Sequence, residues 1–368
     1  MKRIGLVGFG GICNGAHIPG YEQCGDLAKI CAVCDIDRKK LEQAKQKLGL
    51  PDECLFTDYQ EMIDSGLIDA VDICTPNYLH CQIAEAAIAA GLDYSIEKPI
   101  GINLSEAAAL YEKEINSSSK SFVCFSYRYM APFRYMREVV KSGKIGKIRH
   151  IYMTYLKNSG LIEGRRFEWR FDKAQAGTGV LGDLAVHMID AVRFLGEEFD
   201  GVFAQMGITV KERARLDSDE IAEVTTDDWC NINGMTKSGA SVDMRITRVA
   251  TTVPNFVEFD VFCENGRIVY KLGMDDFGRA SAEKVLLACG TKGVLTEVDV
   301  PQEYSAVQSR EFVKSISGEA SEMTAGLDQG VICQAILEAL EISSKEKRYV
   351  YLDEFDIVGE VSVKVTKS

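Results

Sequence analysis

The sequence predicts an α/β domain with a parallel sheet, followed by an α+β domain with a large, mainly antiparallel, open-faced sheet. Three observations carry this. Short apolar runs alternate with helical stretches over the first 125 residues, the pattern of a parallel sheet with helices on both faces. From about residue 201 to residue 300 the chain reads instead as successive strands separated by turns. A cluster of glycines stands directly after the first apolar run.

Taken in order, residues 3–8 form an apolar strand and residues 29–35 a second. Residues 38–48 are amphipathic, with Leu41, Ala44 and Leu48 on one stripe. Strands follow at 54–57, 70–75, 94–97 and 122–126, with helices at 79–90 and 105–115. The first domain is therefore placed at residues 1–125 and the second at 126–368. The second opens with a helix at 131–142 and passes through Gly143 and Gly146 into a strand at 148–155. A polar, Arg-rich loop and a helix at 180–195 come next. Glu264-Asn265-Gly266-Arg267 carries an Asn-Gly hairpin signal between strands at 257–263 and 268–270. Helices near 306–317 and 328–344 are expected to close this domain.

Composition excludes several classes. The net charge of −13, with no Lys/Arg-dense run, argues against nucleic acid. No apolar stretch approaches the length of a membrane span, and the first residues lack the pattern of a secretion signal. A cytoplasmic location is expected. The twelve cysteines are scattered. The one tight pair, Cys31 and Cys34, lies on a strand where residues three apart face opposite sides. No metal site is expected, and the thiols are read as small buried hydrophobes.

Gly8-Phe9-Gly10-Gly11-Ile12-Cys13 follows the first strand and opens a helix. This is a Rossmann-type phosphate loop. Gly8 allows the tight turn, Gly10 lets the backbone approach a pyrophosphate, and the helix N-terminus supplies free N–H donors. The third small position is occupied by Cys13. Asp35 ends the second strand, where an acid can bind both ribose hydroxyls of an adenosine. A carboxylate there repels a 2′-phosphate, which favours NAD. Arg38, three residues on, leaves NADP as the alternative.

Three further segments stand out. Thr75-Pro76-Asn77-Tyr78-Leu79-His80 and Glu97-Lys98-Pro99 follow strands of the first domain, at the strand ends where open α/β sheets bind ligands. Asp183-Leu184-Ala185-Val186-His187-Met188-Ile189-Asp190 lies in the second. With these, with Gly143-Lys144-Ile145-Gly146-Lys147-Ile148 and with Trp169-Arg170, the chain resembles the Gfo/Idh/MocA family of sugar and cyclitol oxidoreductases over nearly its full length. The resemblance implies NAD as cofactor and a polyol or sugar as substrate. It places Lys98 near the nicotinamide. Gly8, Phe9, Gly10, Gly11, Ile12, Asp35, Thr75, Pro76, Asn77, His80, Glu97 and Lys98 are the expected cofactor-side residues.

The residues themselves suit this chemistry. Alcohol oxidation gives a hydride to nicotinamide and a proton to a base. His187, with an ordinary pKa of about 6.5, is the natural acceptor. The Lys98 ammonium can stabilise developing alkoxide charge. Asp183 is expected to hold a sugar hydroxyl or tune Lys98. Asp183, His187 and Asp190 are spaced to share one helical face, beside the apolar stripe Leu181, Leu184, Met188, Val192 and Leu195. Asp190 is expected to orient His187 or to stabilise the helix. Arg128, Trp169 and Arg170 are considered for the substrate pocket, and the 158–166 loop for substrate selection. His80 is read as a cofactor-side or structural residue, and His17 and His150 receive no role.

The leading functional expectation is hydride transfer between NAD and a secondary alcohol of a sugar, glycoside or cyclitol. Two others compete: a glycoside-cleaving enzyme that oxidises its substrate only transiently, and a non-catalytic NAD-binding regulator. A homodimer or homotetramer built by sheet-to-sheet contact is expected. The resemblance also suggests a cis Lys98–Pro99 peptide bond.

Overall fold

A computed structural model of the chain describes residues 1–274, 280–319 and 321–355. The chain divides into two units. One comprises residues 1–126 and 306–332, the other residues 127–305 and the described chain from 333 on.

The first unit holds six strands among the described residues: β1 (Lys2–Val7), β2 (Ala28–Cys34), β3 (Leu55–Phe56), β4 (Ala70–Ile73), β5 (Asp93–Ile96) and β6 (Ser121–Val123). Their order is β3-β2-β1-β4-β5-β6, with every pairing parallel. That is the Rossmann order. Parallel strands are covered on both faces, and Ile4, Leu6, Val33, Val71 and Ile73 are accordingly free of solvent. The helix Arg38–Leu48 has the bounds its sequence predicts. Asp37 caps its start by accepting from Lys39 N, and Gly49 ends it at a φ of 65°. A short helix, Tyr59–Asp64, was not anticipated from the sequence.

The C-terminal stretch differs from expectation. The helix Gln308–Ile316 belongs to the first unit rather than closing the second. Its Phe312 ring lies 5.5 Å from that of Phe122 in β6, and Ala325 O accepts a 2.8 Å bond from Val123 N. Both contacts cover the β6 edge of the parallel sheet, which would otherwise expose an apolar strand.

The second unit holds β7 (Ile148–Lys157), β8 (Phe199–Gly207), β9 (Glu212–Ala214), β10 (Ile221–Glu223), β11 (Trp229–Thr236), β12 (Ser241–Thr247), β13 (Asn255–Cys263), β14 (Gly266–Met274), β15 (Ala280–Cys289), β16 (Thr296–Val298) and β17 (Val350–Tyr351). Among the described residues nine of them form one sheet, ordered β16-β15-β14-β13-β7-β12-β11-β8-β17. Within it β7 and β12 pair parallel and the other pairings are antiparallel. The β13–β14 hairpin forms where expected, but its loop is Glu264-Asn265, one residue early. Gly266 already sits in the ladder. A Cβ there would stand 2.5 Å from Ala288 O and 2.6 Å from the Ile145 side chain, so the glycine serves a close approach.

The run 257–262 is buried at Asp260, which binds Arg267, as well as at its alternate apolar positions. Val257, Phe259 and Val261 are buried on one face, where the ring of Phe133, from the helix Ala131–Lys141, lies edge-on 5.3 Å from Phe259 and tilted 4.9 Å from Tyr270. The other face carries Tyr152 and Met235, 42% and 40% exposed, beside exposed Asn231, Asn233 and Arg245.

Candidate functional site

In the first unit the glycine loop leaves β1 at Gly8, whose φ is 93°. A Cβ at Gly8 would lie 2.8 Å from Cys74 O, at the end of β4. Only glycine satisfies both the left-handed turn and that approach. The helix that follows contains one wide turn, Cys13–His17, in which Ile18 N donates to Cys13 O, five residues back. Pro19 explains the widening. It has no N–H for the carbonyl of residue 15, and its ring crowds that carbonyl.

Asp35 stands just past β2 and is largely buried. Its Oδ2 accepts from Phe9 N at 2.8 Å and its Oδ1 from Asp37 N at 2.9 Å, so the acid ties the glycine loop to the β2 end. The cation that pairs with it among the described residues is Lys40, with Nζ 3.4 Å from Oδ2, where the sequence pointed to Arg38.

The other two strand-end segments are locked together by His80. Its Nδ1 lies 2.8 Å from Pro99 O and its Nε2 2.9 Å from Thr75 O. Burial pulls its pKa below the ordinary value although both carbonyls favour the charged form. His80 therefore acts as a clamp between backbone segments. Lys98 is half-buried beyond β5, and the Lys98–Pro99 bond is cis. Glu97, just before it, is buried, with Oε2 accepting from Lys98 N at 3.2 Å and Oε1 3.0 Å from His17 Nε2. His17 was thus missed by sequence reasoning. Its partners are 55 and 80 residues away, and no local pattern reveals them.

In the second unit a wide turn, Leu181–Ala185, leads into the helix Val186–Phe194, with Val186 N donating to Leu181 O. The apolar stripe Leu181, Leu184, Met188, Val192 and Leu195 is buried as expected. Asp183 is exposed and His187 half-buried, with its ring 5.3 Å from that of Tyr127. Asp190 departs from the expected shared face and is solvent-free. The helix Val186–Phe194 is enclosed nearly all round, with every residue but His187 buried, so it has no exposed polar face for Asp190 to share. Asp190 instead meets Arg128, which binds it at 2.6, 2.8 and 3.1 Å. Arg128, considered for the substrate, is engaged in that buried pair, as is the Asp190 considered for orienting His187.

Trp169 and Arg170 stack on each other, with the guanidinium 4.3 Å from the ring centre. Within the 158–166 loop, Arg165 binds Ser159 O and Glu168, and Arg213 reaches Gly160 O at 2.6 Å. Asp227, unremarked in the sequence, holds the start of the site helix. Its carboxylate accepts from Gly179 N at 2.5 Å and Leu181 N at 2.9 Å, while its carbonyl accepts from Val180 N.

Comparison with known proteins places this geometry. Residues 2–125 match the oxidoreductase family with an NAD-binding Rossmann fold, and residues 133–269 match the GFO/IDH/MocA C-terminal domain. The chain belongs to the GFO/IDH/MocA family of oxidoreductases. A levoglucosan dehydrogenase from Pseudarthrobacter phenanthrenivorans is 29% identical over 287 residues, 73% of each chain. The glucose-6-phosphate 3-dehydrogenase of Bacillus subtilis is 28% identical over 245 residues, 66% of this chain and 67% of its own. A solved levoglucosan dehydrogenase in complex with NADH superposes with a TM-score of 0.86 at 25% identity, covering 95% of this chain and 99% of that one.

The GFO/IDH/MocA assignment makes the first unit an NAD-binding domain, and its residues fit the cofactor. A Cβ on Gly10 or Gly11 would meet nothing within 4 Å among the described residues beyond its chain neighbours, so the loop leaves space at its backbone. The Thr75 hydroxyl is buried without a hydrogen-bond partner among the described residues. Asp35 spends one backbone bond per oxygen, and a carboxylate has about four acceptor sites. Of the loop's apolar residues Phe9 is buried and Ile12 is 44% exposed. Among the described residues no helix is long and apolar enough to cross a membrane.

Proposed function

We propose that this oxidoreductase transfers a hydride between NAD and a secondary alcohol of a sugar, glycoside or cyclitol. The observation that carries the reading is Lys98, set at the carboxyl end of β5 in an NAD-binding Rossmann sheet, where such sheets bind their ligands. The two dehydrogenase relatives named above act on sugars by name. NAD, when bound, accepts the hydride. Lys98 binds the reacting oxygen and stabilises alkoxide charge. His187 takes the proton, and Asp183, exposed at the start of its helix, holds a substrate hydroxyl. Gly8 to Ile12 cradle the pyrophosphate and Asp35 binds the adenosine ribose. Thr75, Pro76, Asn77 and Glu97 shape the cofactor side, and Trp169 with Arg170 the substrate side.

NAD reduction, followed by absorbance against a panel of sugars, glycosides and inositols, tests this. Net NADH with at least one class is the expected result. Substrate consumption without net NADH would favour transient oxidation instead. All twelve cysteines are free thiols, which supports a reducing, cytoplasmic setting. The half-apolar outer face of the large sheet supports a homodimer or homotetramer. A monomer by light scattering at micromolar concentration would refute that.

A further inference from the structure

We propose that His17 is a positioning residue for Lys98: a buried imidazolium that bridges Asp72 and Glu97 and so fixes the segment from which the lysine projects. The inference rests on the reading of Lys98 given above.

The chain prepares this bridge in three places. The wide turn forced ahead of Pro19 ends on His17 and directs its side chain into the sheet, where it is 2% exposed. Asp72 lies in the middle of β4, facing Leu6 of β1 and Ser95 of β5 in the register, and no solvent reaches it. Glu97 is the first residue beyond β5. His17 Nδ1 is 2.7 Å from Asp72 Oδ2 and Nε2 is 3.0 Å from Glu97 Oε1. Both partners are carboxylates and accept only. Two such bonds at once require both ring nitrogens to donate, which is the charged imidazolium; at His80 the two acceptors are neutral carbonyls, burial prevails, and the neutral ring donates through one nitrogen only.

The surroundings support the charge. An acid in the centre of a parallel sheet is costly unless paired. Asp72 Oδ2 also accepts from the Tyr21 hydroxyl at 2.9 Å, a neutral donor that adds no compensating cation. The nearby thiols of Cys74 and Cys124 are pushed up by burial and stay protonated. Burial alone would lower the His17 pKa, but Asp72 and Glu97 outweigh it, and the group is held well above its ordinary 6.5. His17 is thus the cation that the two acids need.

The link to Lys98 is short. Glu97 takes His17 on one oxygen and Lys98 N on the other. His80 holds Pro99 O from a second direction. The backbone on both sides of Lys98 is therefore fixed by a histidine. Removing the His17 charge leaves Glu97 buried and uncompensated, and it must rotate or take up a proton. Either change loosens its grip on Lys98 N.

Three measurements test the assignment. Nitrogen NMR on the folded chain without cofactor should show both His17 ring nitrogens protonated at neutral pH; a neutral imidazole overturns the proposal. His17→Gln keeps a hydrogen-bonding side chain without the charge. Its kcat should fall on the order of tenfold to a hundredfold, as for displaced catalytic groups. Its KM and its NADH affinity by fluorescence titration should stay within about threefold. Lys98→Met is measured in parallel. An inactive Lys98→Met with wild-type kcat in His17→Gln overturns the role of His17 alone. Wild-type kcat in Lys98→Met overturns the reading of Lys98 and this assignment with it. Should His17→Gln not fold, Glu97→Gln carries the same test from the other end, and unchanged kcat there overturns the bridge.

Discussion

Asp190 accepts the Arg128 guanidinium side-on through Nε and Nη2, and both side chains are almost free of solvent. Burial alone would lower the Arg128 pKa, but the carboxylate outweighs it and the pKa is raised. A buried pair of this kind is worth little against a well-packed apolar pair, yet breaking it leaves an isolated charge. Arg128→Met should destabilise the protein by about 3–5 kcal/mol. Arg128→Met with Asp190→Leu should recover much of that loss. Urea midpoints for the two variants check the order. Equal midpoints for the single variant and the wild type would show that the pair contributes nothing.

Lys98→Met and His187→Ala should each lower turnover by at least about a hundredfold, the usual scale for a charge stabiliser or a general base. NAD affinity by calorimetry should be nearly unchanged in both. The double variant should lose less than the product of the single losses, because residues that serve one transition state are not additive. Wild-type kcat in either single variant on a good substrate removes that residue from the chemistry.

What the sequence disclosed and what it hid follow from distance along the chain. The helix Arg38–Leu48 was legible to the residue because its period, its Asp37 cap and its Gly49 terminator are all local. The glycine turn after β1 and the position of Asp35 at the end of β2 were legible because a strand, a turn and a helix follow each other within one unit. The Asn-Gly hairpin was placed correctly but shifted by one, since Gly266 answers to Ala288 and Ile145 rather than to the turn. Asp190 was misplaced because its spacing implies a polar helix face, whereas every residue of Val186–Phe194 but His187 is buried, and its partner Arg128 is 62 residues away. His17, Asp72 and Asp227 stayed hidden because their meaning lies wholly in partners tens of residues away. Nothing in the composition of residues 306–332 says which sheet they cover.

Asp35 should make the protein prefer NAD. Its buried carboxylate already accepts two backbone N–H groups, and a 2′-phosphate beside it would meet like charge. Lys40, 3.4 Å away and partly exposed, offsets that repulsion only in part. Asp35→Ser should weaken NAD by about tenfold, one lost charge-assisted hydrogen bond of about 1.5 kcal/mol, and narrow the gap to NADP. Calorimetric titration of both cofactors reads this out. Tighter NADP than NAD in the wild type would show that Lys40 dominates.

Two buried histidines should bend the stability curve in opposite directions. His17 has a raised pKa, set by burial against Asp72 and Glu97, with Tyr21, Cys74 and Cys124 the other titratable groups around it. Above about pH 6.5, where a free histidine is neutral, the native state binds the extra proton. The stability from His17 is complete below that pH and is lost as pH rises toward the raised value. His80 has a lowered pKa from burial, countered in part by Pro99, Thr75 and Glu97 carboxyl and carbonyl groups and reinforced by Lys98. Below about pH 6.5 the unfolded state binds the extra proton, so stability falls on the acid side. Urea midpoints against pH should drop at both ends. In His17→Gln the alkaline drop should shrink while the acid one persists. An unchanged alkaline limb would assign that loss to other groups.

Gly179 should tolerate no side chain. A Cβ there would overlap the Asp227 carbonyl oxygen and stand 2.7 Å from Asp227 N, and both of those atoms are backbone. The same residue donates its N–H to the Asp227 carboxylate, whose second oxygen receives Leu181 N. Burial raises the Asp227 pKa, and these two donors offset only part of that rise. Gly179→Ala must therefore move the loop before β11 or the start of the site helix, and either movement strains the cap. Overpacking of this kind costs about 1–3 kcal/mol, and a weakened buried cap adds about 1 kcal/mol. Since Asp183 and His187 lie four and eight residues further on, the displacement should also reach the chemistry. The expected variant is folded, with a lower urea midpoint and a kcat reduced by about tenfold or more, because small misplacements of catalytic groups are expensive. Asp227→Asn provides the comparison. It keeps the size and one acceptor but loses the charge, so it should lower stability without the steric displacement and leave kcat closer to wild type. If Gly179→Ala lowers the midpoint but leaves kcat intact, the loop before β11 has yielded rather than the helix, and Asp227 serves stability alone.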